Sequence, residues 1–146
     1  METATNAATK ITVKATVNAS VEDVWKTWSE PGHIVNWCNA SDDWHAPSAT
    51  NDLRKGGKFT TRMEAKDKSF GFDFGGEYTN VKNHELIEYT MGDGRKVSVH
   101  FRSNGNQSEI VETFEAETQN SVDMQKTGWQ AILDNFKKYT ESIVNN

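Results

Sequence analysis

Cysteine is nearly absent from this chain: Cys38 stands alone in 146 residues, so no intramolecular disulfide can staple the fold. Long apolar runs are missing too, and no window approaches the ~18 apolar residues that a membrane span needs. There is no basic excess. Lys and Arg total 16 against 21 Asp and Glu, a net charge of −5, and no Lys/Arg run interleaves with aromatics. That balance argues against nucleic-acid binding. The 4 histidines (His33, His45, His84 and His100) form no H-x-x-H or H-E-x-x-H pattern and no Cys/His cluster, so neither a metal site nor a metal cofactor is expected. No Gly-rich loop leads a buried strand into a helix, and Gly56-Gly57 and Gly75-Gly76 sit in strand context, which leaves nucleotide binding unsupported. No Ser/His/Asp or Cys/His arrangement can be assembled, so no catalytic residue is assigned. Met1–Lys10 has neither a basic start nor an apolar run and is not a signal peptide. It is Ala/Thr-rich and expected to be flexible, leaving residues 11–146 as a single domain. With a mildly acidic, mixed surface, cytoplasmic residence is the expectation.

What the chain does have is ring mass. Apolar residues make up 35% of it, concentrated in 5 Trp, 7 Phe and 3 Tyr. The clearest pattern is Met124–Ile143, where Trp129, Ile132, Leu133, Phe136, Tyr139 and Ile143 share one stripe at helical spacing. Gln130, Asp134, Lys137, Lys138 and Glu141 occupy the other face. A helix this long is marginal alone in water. Burying the stripe is worth roughly 1.5–3 kcal/mol per large side chain before ordering costs, so the helix needs a partner. Gly128 sits inside it at a cost of about 1 kcal/mol relative to Ala, leaving room beside Trp129 for a closely packed strand or for something bound.

That partner is a sheet. Ile11–Val17 alternates apolar and polar residues as a half-buried strand does. Ser20 is a good N-cap for a helix Val21–Ser29 that buries Val21, Val24, Trp25 and Trp28. Glu30-Pro31-Gly32 ends it, and a second short helix passes through Ile34 and Trp37. Asn39–Thr50 reads as irregular and aromatic. From Asn51 the period becomes two: a short strand at Asp52-Leu53-Arg54, then Lys58–Lys66, Phe70–Lys82, Leu86–Met91, a strand carrying Val97, Val99 and Phe101, and Gln107–Ala116. On Phe70–Lys82 the row Phe70, Phe72, Phe74, Gly76, Tyr78 faces one side. Asn104-Gly105 marks a hairpin. The last strand is ambiguous, because Ile110/Glu112/Phe114 and Val111/Thr113 both fit period two, and a bulge would place Glu112 in water. The fold class is α+β: two short helices near the N-terminus, then a meander that must curl, then a long C-terminal helix over its concave side.

Asp52-Leu53-Arg54 with Gly56-Gly57 and Phe59, then Phe72–Tyr78, then Gly128-Trp129 with Ile132-Leu133 and Phe136, together resemble the family named for the activator of the ninety-kilodalton heat-shock chaperone's ATPase. That family lies within the START-related, birch-pollen-allergen-like superfamily, and the similarity runs from about Ile11 to Glu141. The resemblance implies a helix-grip fold, with a curved antiparallel sheet wrapped around its C-terminal helix. It also implies an apolar cavity between sheet and helix; various relatives bind lipids, hormones or polyketides, and a few turn them over. The eukaryotic co-chaperone carries a separate N-terminal chaperone-binding domain for which this chain has no room, so ATPase activation is not carried over. Neither is any catalytic motif.

The expected cavity wall is Trp37, Trp44, Met63, Phe72, Phe74, Tyr78, Phe101, Trp129 and Leu133, around a small apolar ligand. His45, beside Trp44, and Glu112, if it turns inward, are the candidate polar groups. An inward Glu112 would need a partner or a raised pKa. Cys38, in the Trp-rich segment Trp37–Trp44, is expected as a small buried residue rather than a reactive thiol. Two other functions are open: a cyclase- or hydrolase-like enzyme using a pocket carboxylate or histidine, and a stress-related co-chaperone-like module contacting a chaperone through its outer surface.

Overall fold

The computed structural model describes residues 9–144, beginning with β1 (Lys10–Val17), whose side chains alternate strictly between solvent and core. The flexible segment expected over residues 1–10 lies outside the described residues up to position 8, and Lys10 already belongs to the strand. Ser20 then caps α1 (Val21–Ser29), its hydroxyl accepting the Asp23 N–H at 3.3 Å. Pro31 opens α2 (Pro31–Trp37), a position where its missing N–H would have had no helical partner anyway.

The next strand falls where the sequence pattern reads as irregular. β2 (Trp44–Asn51) pairs with β3 (Lys58–Ala65), but the register slips between His45 and Ser48, around Pro47. Proline cannot donate to a ladder, and an edge strand with a bulge is where a sheet tolerates it. Conversely, Asp52–Arg54 is a loop rather than a strand. The Asp52 N–H bonds Lys58 O and the Arg54 N–H folds back on Asp52 O, at 3.0 and 2.9 Å. A Cβ at Gly57 would run into the Asp52 carbonyl, which explains the glycine there.

β4 (Gly71–Lys82), β5 (Leu86–Met91), β6 (Lys96–Asn104) and β7 (Gln107–Glu115) continue the meander. Gly105 takes φ +66° as the first residue of the two-residue β6–β7 turn, a conformation only glycine adopts without strain. β1 returns to pair with β7, giving one 7-stranded antiparallel sheet in the order β1-β7-β6-β5-β4-β3-β2. This sheet curls around α3 (Val122–Val144) in a helix-grip arrangement.

α3 sits close to the β1 edge. Gln130 exchanges hydrogen bonds with the backbone of Lys14 (3.0 and 3.4 Å), Lys137 donates to Thr16 O (2.8 Å) and Glu141 accepts the Asn18 N–H (2.8 Å). The polar side of the helix thus covers an edge that would otherwise present free backbone groups. Its C-terminal half packs on α1 and α2: Phe136 is fully buried between Trp28 and Trp37, each 5.0 Å away by ring centroid. Thr140, not Ile143, completes the buried stripe. Its hydroxyl donates to Thr27 Oγ1 at 3.1 Å, whereas Ile143 at the helix end is 38% exposed. Among the described residues, no helix is long and apolar enough to cross a membrane.

Candidate functional site

The N-terminal half of α3 leaves a gap above β2–β5. Ser121 Oγ accepts the Met124 N–H, and Gln125 reaches back to Glu117 and Asn120 to pin the loop that precedes the helix. One turn on, nothing lies within 4 Å of where a Cβ on Gly128 would stand. Close packing against a strand, one of the two readings of this glycine, is therefore not what it serves; the space beside it is open. Trp129 next to it lies flat on Phe114 of β7 (3.8 Å, 10° between planes) and meets Phe74 of β4 edge-on at 6.0 Å. Trp129 thus acts as a pillar between helix and sheet. Beside it lies a cavity of about 460 Å³, with mostly carbon walls.

Eight of the nine expected wall residues face this space: Trp37, Trp44, Met63, Phe72, Phe74, Tyr78, Trp129 and Leu133. Phe101 does not. It sits near the far end of β6, where Trp25 and Trp28 of α1 cover it at 5.1 and 5.6 Å. Phe72 is at the rim rather than inside. It is 41% exposed, and with Phe70 (62% exposed) it clusters around Trp44 at the β3–β4 hairpin. The uniform inward row expected for β4 therefore fails at its N-terminal end, where the rings pack on β2 instead of α3.

His45 is also displaced from its expected place. It lies on the outer side of the β2 edge, where its Nε2 is 3.9 Å from Glu64 Oε1, and it is not among the wall residues. Strand alternation explains this: Trp44 faces the cavity, so its neighbour faces away.

Glu112 goes inward. Unbroken pairing of β7 with Val13 of β1 and Val99 of β6 leaves no bulge to turn it out, and it is 6% exposed. Burial pushes its carboxyl from the ordinary 4.5 up to about 8, with no hydrogen bond or ion pair among the described residues to counter it. Two further groups face the same volume. Burial, then the charge of Glu112, raises the Cys38 thiol to about 12, and the same causes carry the Tyr89 hydroxyl well above its usual value. Tyr78 also lies on the wall, but its hydroxyl is engaged, donating to Asn51 Oδ1 at 2.5 Å. Arg95 contributes the cation of the wall. Its Nε donates to Asp93 (2.8 Å) and its Nη1 to Glu115 O (3.3 Å). Glu112, Tyr89 and Cys38 make no hydrogen bond to one another, so no nucleophile rests against a base. Among the described residues, no three His, Cys, Asp or Glu side chains converge as metal ligands.

Tyr89, Arg95 and Gln125 belong to the wall beyond the residues the sequence pattern predicts. Tyr89 was legible as an inward position of β5, and its hydroxyl was the signal. Arg95 and Gln125 belong to a turn and a helix start, where periodicity says nothing about direction.

Two solved structures resemble the whole chain closely. A solution structure of an AHSA1-like protein from Aeromonas hydrophila is 43% identical, with a TM-score of 0.87 over 92% of this chain and 94% of that one. A solution structure of a protein from Cytophaga hutchinsonii is 55% identical, with a TM-score of 0.79 over 94% and 95%. A crystal structure of a protein from Nitrosomonas europaea shares the fold at 14% identity, TM-score 0.79, over 94% and 97%. Among curated proteins, none matches. The family model described as Activator of Hsp90 ATPase homolog 1-like protein matches residues 18–141. The chain belongs to that family, within the superfamily of START-related helix-grip proteins.

Proposed function

We propose that this protein binds a small, largely apolar ligand between the N-terminal half of α3 and strands β2–β5, as a carrier or sensor in the cytoplasm and without turnover. The observation that supports the reading is the cavity: about 460 Å³, walled by rings, with the polar groups of Glu112 and Tyr89, unpartnered among the described residues, facing in. Small-molecule sites have this size and this pattern of a few polar groups in an apolar wall. The absence of hydrogen bonding among Glu112, Tyr89 and Cys38 favours binding over acid–base or nucleophilic catalysis. A thermal-shift panel of fatty acids, aromatic alcohols, aromatic amines and polyketides tests it. Ligand-linked stabilisation of the wild type, abolished in Gly128→Leu, is the expected result, because the leucine fills the space beside Trp129. A flat panel refutes the reading.

A second reading is supported by Phe70 and Phe72, two rings exposed at the β3–β4 hairpin beside the half-buried Trp44, as protein-binding patches are. On that reading the hairpin contacts a chaperone. Binding of purified Hsp90 that is lost in Phe70→Ser, with small-molecule binding kept, would assign the hairpin to a protein partner.

A further inference from the structure

The small-molecule reading leaves open which head group the cavity takes, and Glu112 decides it. Buried polar groups are nearly always paired, and an unpaired acid in an apolar space is costly. Glu112 is 6% exposed, faces the cavity, and has no hydrogen bond or ion pair among the described residues. Its missing partner is therefore sought in the ligand.

The surroundings narrow the chemistry of that partner. The residues opposite Glu112 on the two neighbouring strands are Val13 and Val99, neither able to pair with it. The titratable groups that share its space are Cys38 at the end of α2, Tyr89 on β5 and Tyr78 on β4, all of which are neutral or negative in any state. Glu117, before α3, adds a second carboxylate to the wall, its two oxygens accepting from Asn120 at 2.6 and 3.2 Å. α3 itself offers Gln125, Gly128, Trp129, Ile132 and Leu133, none of them charged. The one cation among the wall residues, Arg95, has its charge paired with Asp93 through Nε and its Nη1 on the Glu115 carbonyl, with Nη2 making no hydrogen bond among the described residues. An anionic head group would thus meet two carboxyl groups and a cation whose charge is already balanced by Asp93. A positive one would meet an unopposed carboxyl and the faces of several rings, and aromatic faces attract organic cations.

We propose that the cavity selects an amphipathic amine, its apolar body among the rings and its protonated nitrogen paired with Glu112. The proposal rests on the small-molecule reading and goes one step further. On pairing, Glu112 gives up its proton to solvent while the ligand keeps its own, so binding near neutral pH releases protons.

Three probes with one body test this: biphenyl-4-ylmethylamine, biphenyl-4-ylmethanol and biphenyl-4-carboxylate, titrated calorimetrically into the full chain near pH 7 in two buffers of different ionisation enthalpy. The expected result is that the amine binds about tenfold or more tighter than the alcohol, which binds tighter than the carboxylate. The heat of amine binding alone shifts between buffers as proton release requires. Glu112→Gln lowers the affinity of the amine to that of the alcohol. Glu109→Gln, on the same strand but facing outward, leaves it unchanged. The proposal is overturned if the alcohol or the carboxylate matches the amine on the wild type, or if Glu112→Gln keeps the advantage of the amine. In either case a bound alcohol leaves the small-molecule reading standing. If none of the three binds, both fall together.

Discussion

The two ends of the space beneath α3 are built from the same residue types and used differently. At the α1/α2 end, Trp28, Trp37, Phe101 and Phe136 meet edge to face or tilted, with centroids 5.0–5.6 Å apart, and Phe136 is wholly enclosed. At the β2–β4 end, Trp44, Phe72 and Phe74 stand further apart, near 6 Å from their ring neighbours, and open space remains beside Gly128. The difference comes from what the helix presents. At one end it offers Phe136 and Thr140 to two short helices that close over it. At the other it offers a glycine and a single ring, Trp129, which spans to Phe114 and Phe74 of the sheet and leaves the space beside it open. Aromatic content alone therefore does not tell a core from a cavity wall; the residue on the opposing surface does.

The largest test of that contrast is a pair of truncations. Phe136→Ala removes a ring that touches Trp28 and Trp37 on both sides and leaves a hole that the short helices cannot fill. Its expected cost is about 3–5 kcal/mol. Phe74→Ala removes a half-buried ring from the hollow end, where the space it leaves joins one already present, so the expected cost is under about 2 kcal/mol. Urea unfolding of both variants measures the difference. Equal costs would mean that the hollow is collapsed in solution.

Glu112 gives the next largest effect, and its sign follows from its burial. In the fold it holds its proton up to about pH 8, whereas in the unfolded chain it loses it above the ordinary 4.5. Between those values the folded state binds more protons than the unfolded one. The contribution of this group to stability is therefore fully present below pH 4.5 and is lost as pH rises to about 8, at up to about 1.4 kcal/mol per pH unit. Glu112→Gln removes the slope. The variant should match the wild type near pH 4 and exceed it by a few kcal/mol near pH 8. Melting temperatures measured across that range decide it, and parallel curves for the two proteins would place the carboxyl in water.

How much of this the sequence carries depends on what enforces each feature. The element order, the long helix and the curled meander are legible because periodicity reports which face is buried, and most strands here have one buried face. β2 is not, because Pro47 and its bulge erase alternation on an edge strand whose pairing is secured by β3. Glu112 is the instructive case. Its strand fits both registers by pattern, and only the unbroken pairing with β1 and β6 chooses between them. Phe101 fits the inward pattern correctly but ends beneath α1, since period two gives the face and not the position along it. The cavity itself follows from the family resemblance and not from periodicity, as it consists of what α3 fails to fill.

Gly128 tests that last point with a smaller effect. Alanine there gains helix propensity worth about 1 kcal/mol and meets no atom within 4 Å. Gly128→Ala should therefore raise the melting temperature of the empty protein slightly while weakening any ligand that uses the space. A loss of stability would show that the helix is pressed against the sheet at this turn.

The smallest effect belongs to His45, which marks where the hollow end stops. Its ring is about half exposed on the β2 edge, and its one charged neighbour, Glu64, keeps a 2.9 Å ion pair with Arg62 whatever happens at position 45. Replacing it strands no buried partner, and exposed pairs of this kind are worth little. His45→Ala should shift stability by under about 0.5 kcal/mol and leave ligand affinity unchanged. A tenfold change in affinity would mean that the mouth of the cavity extends around the edge of β2. The boundary between wall and outer surface drawn from the alternation of Trp44 and His45 would then be misplaced.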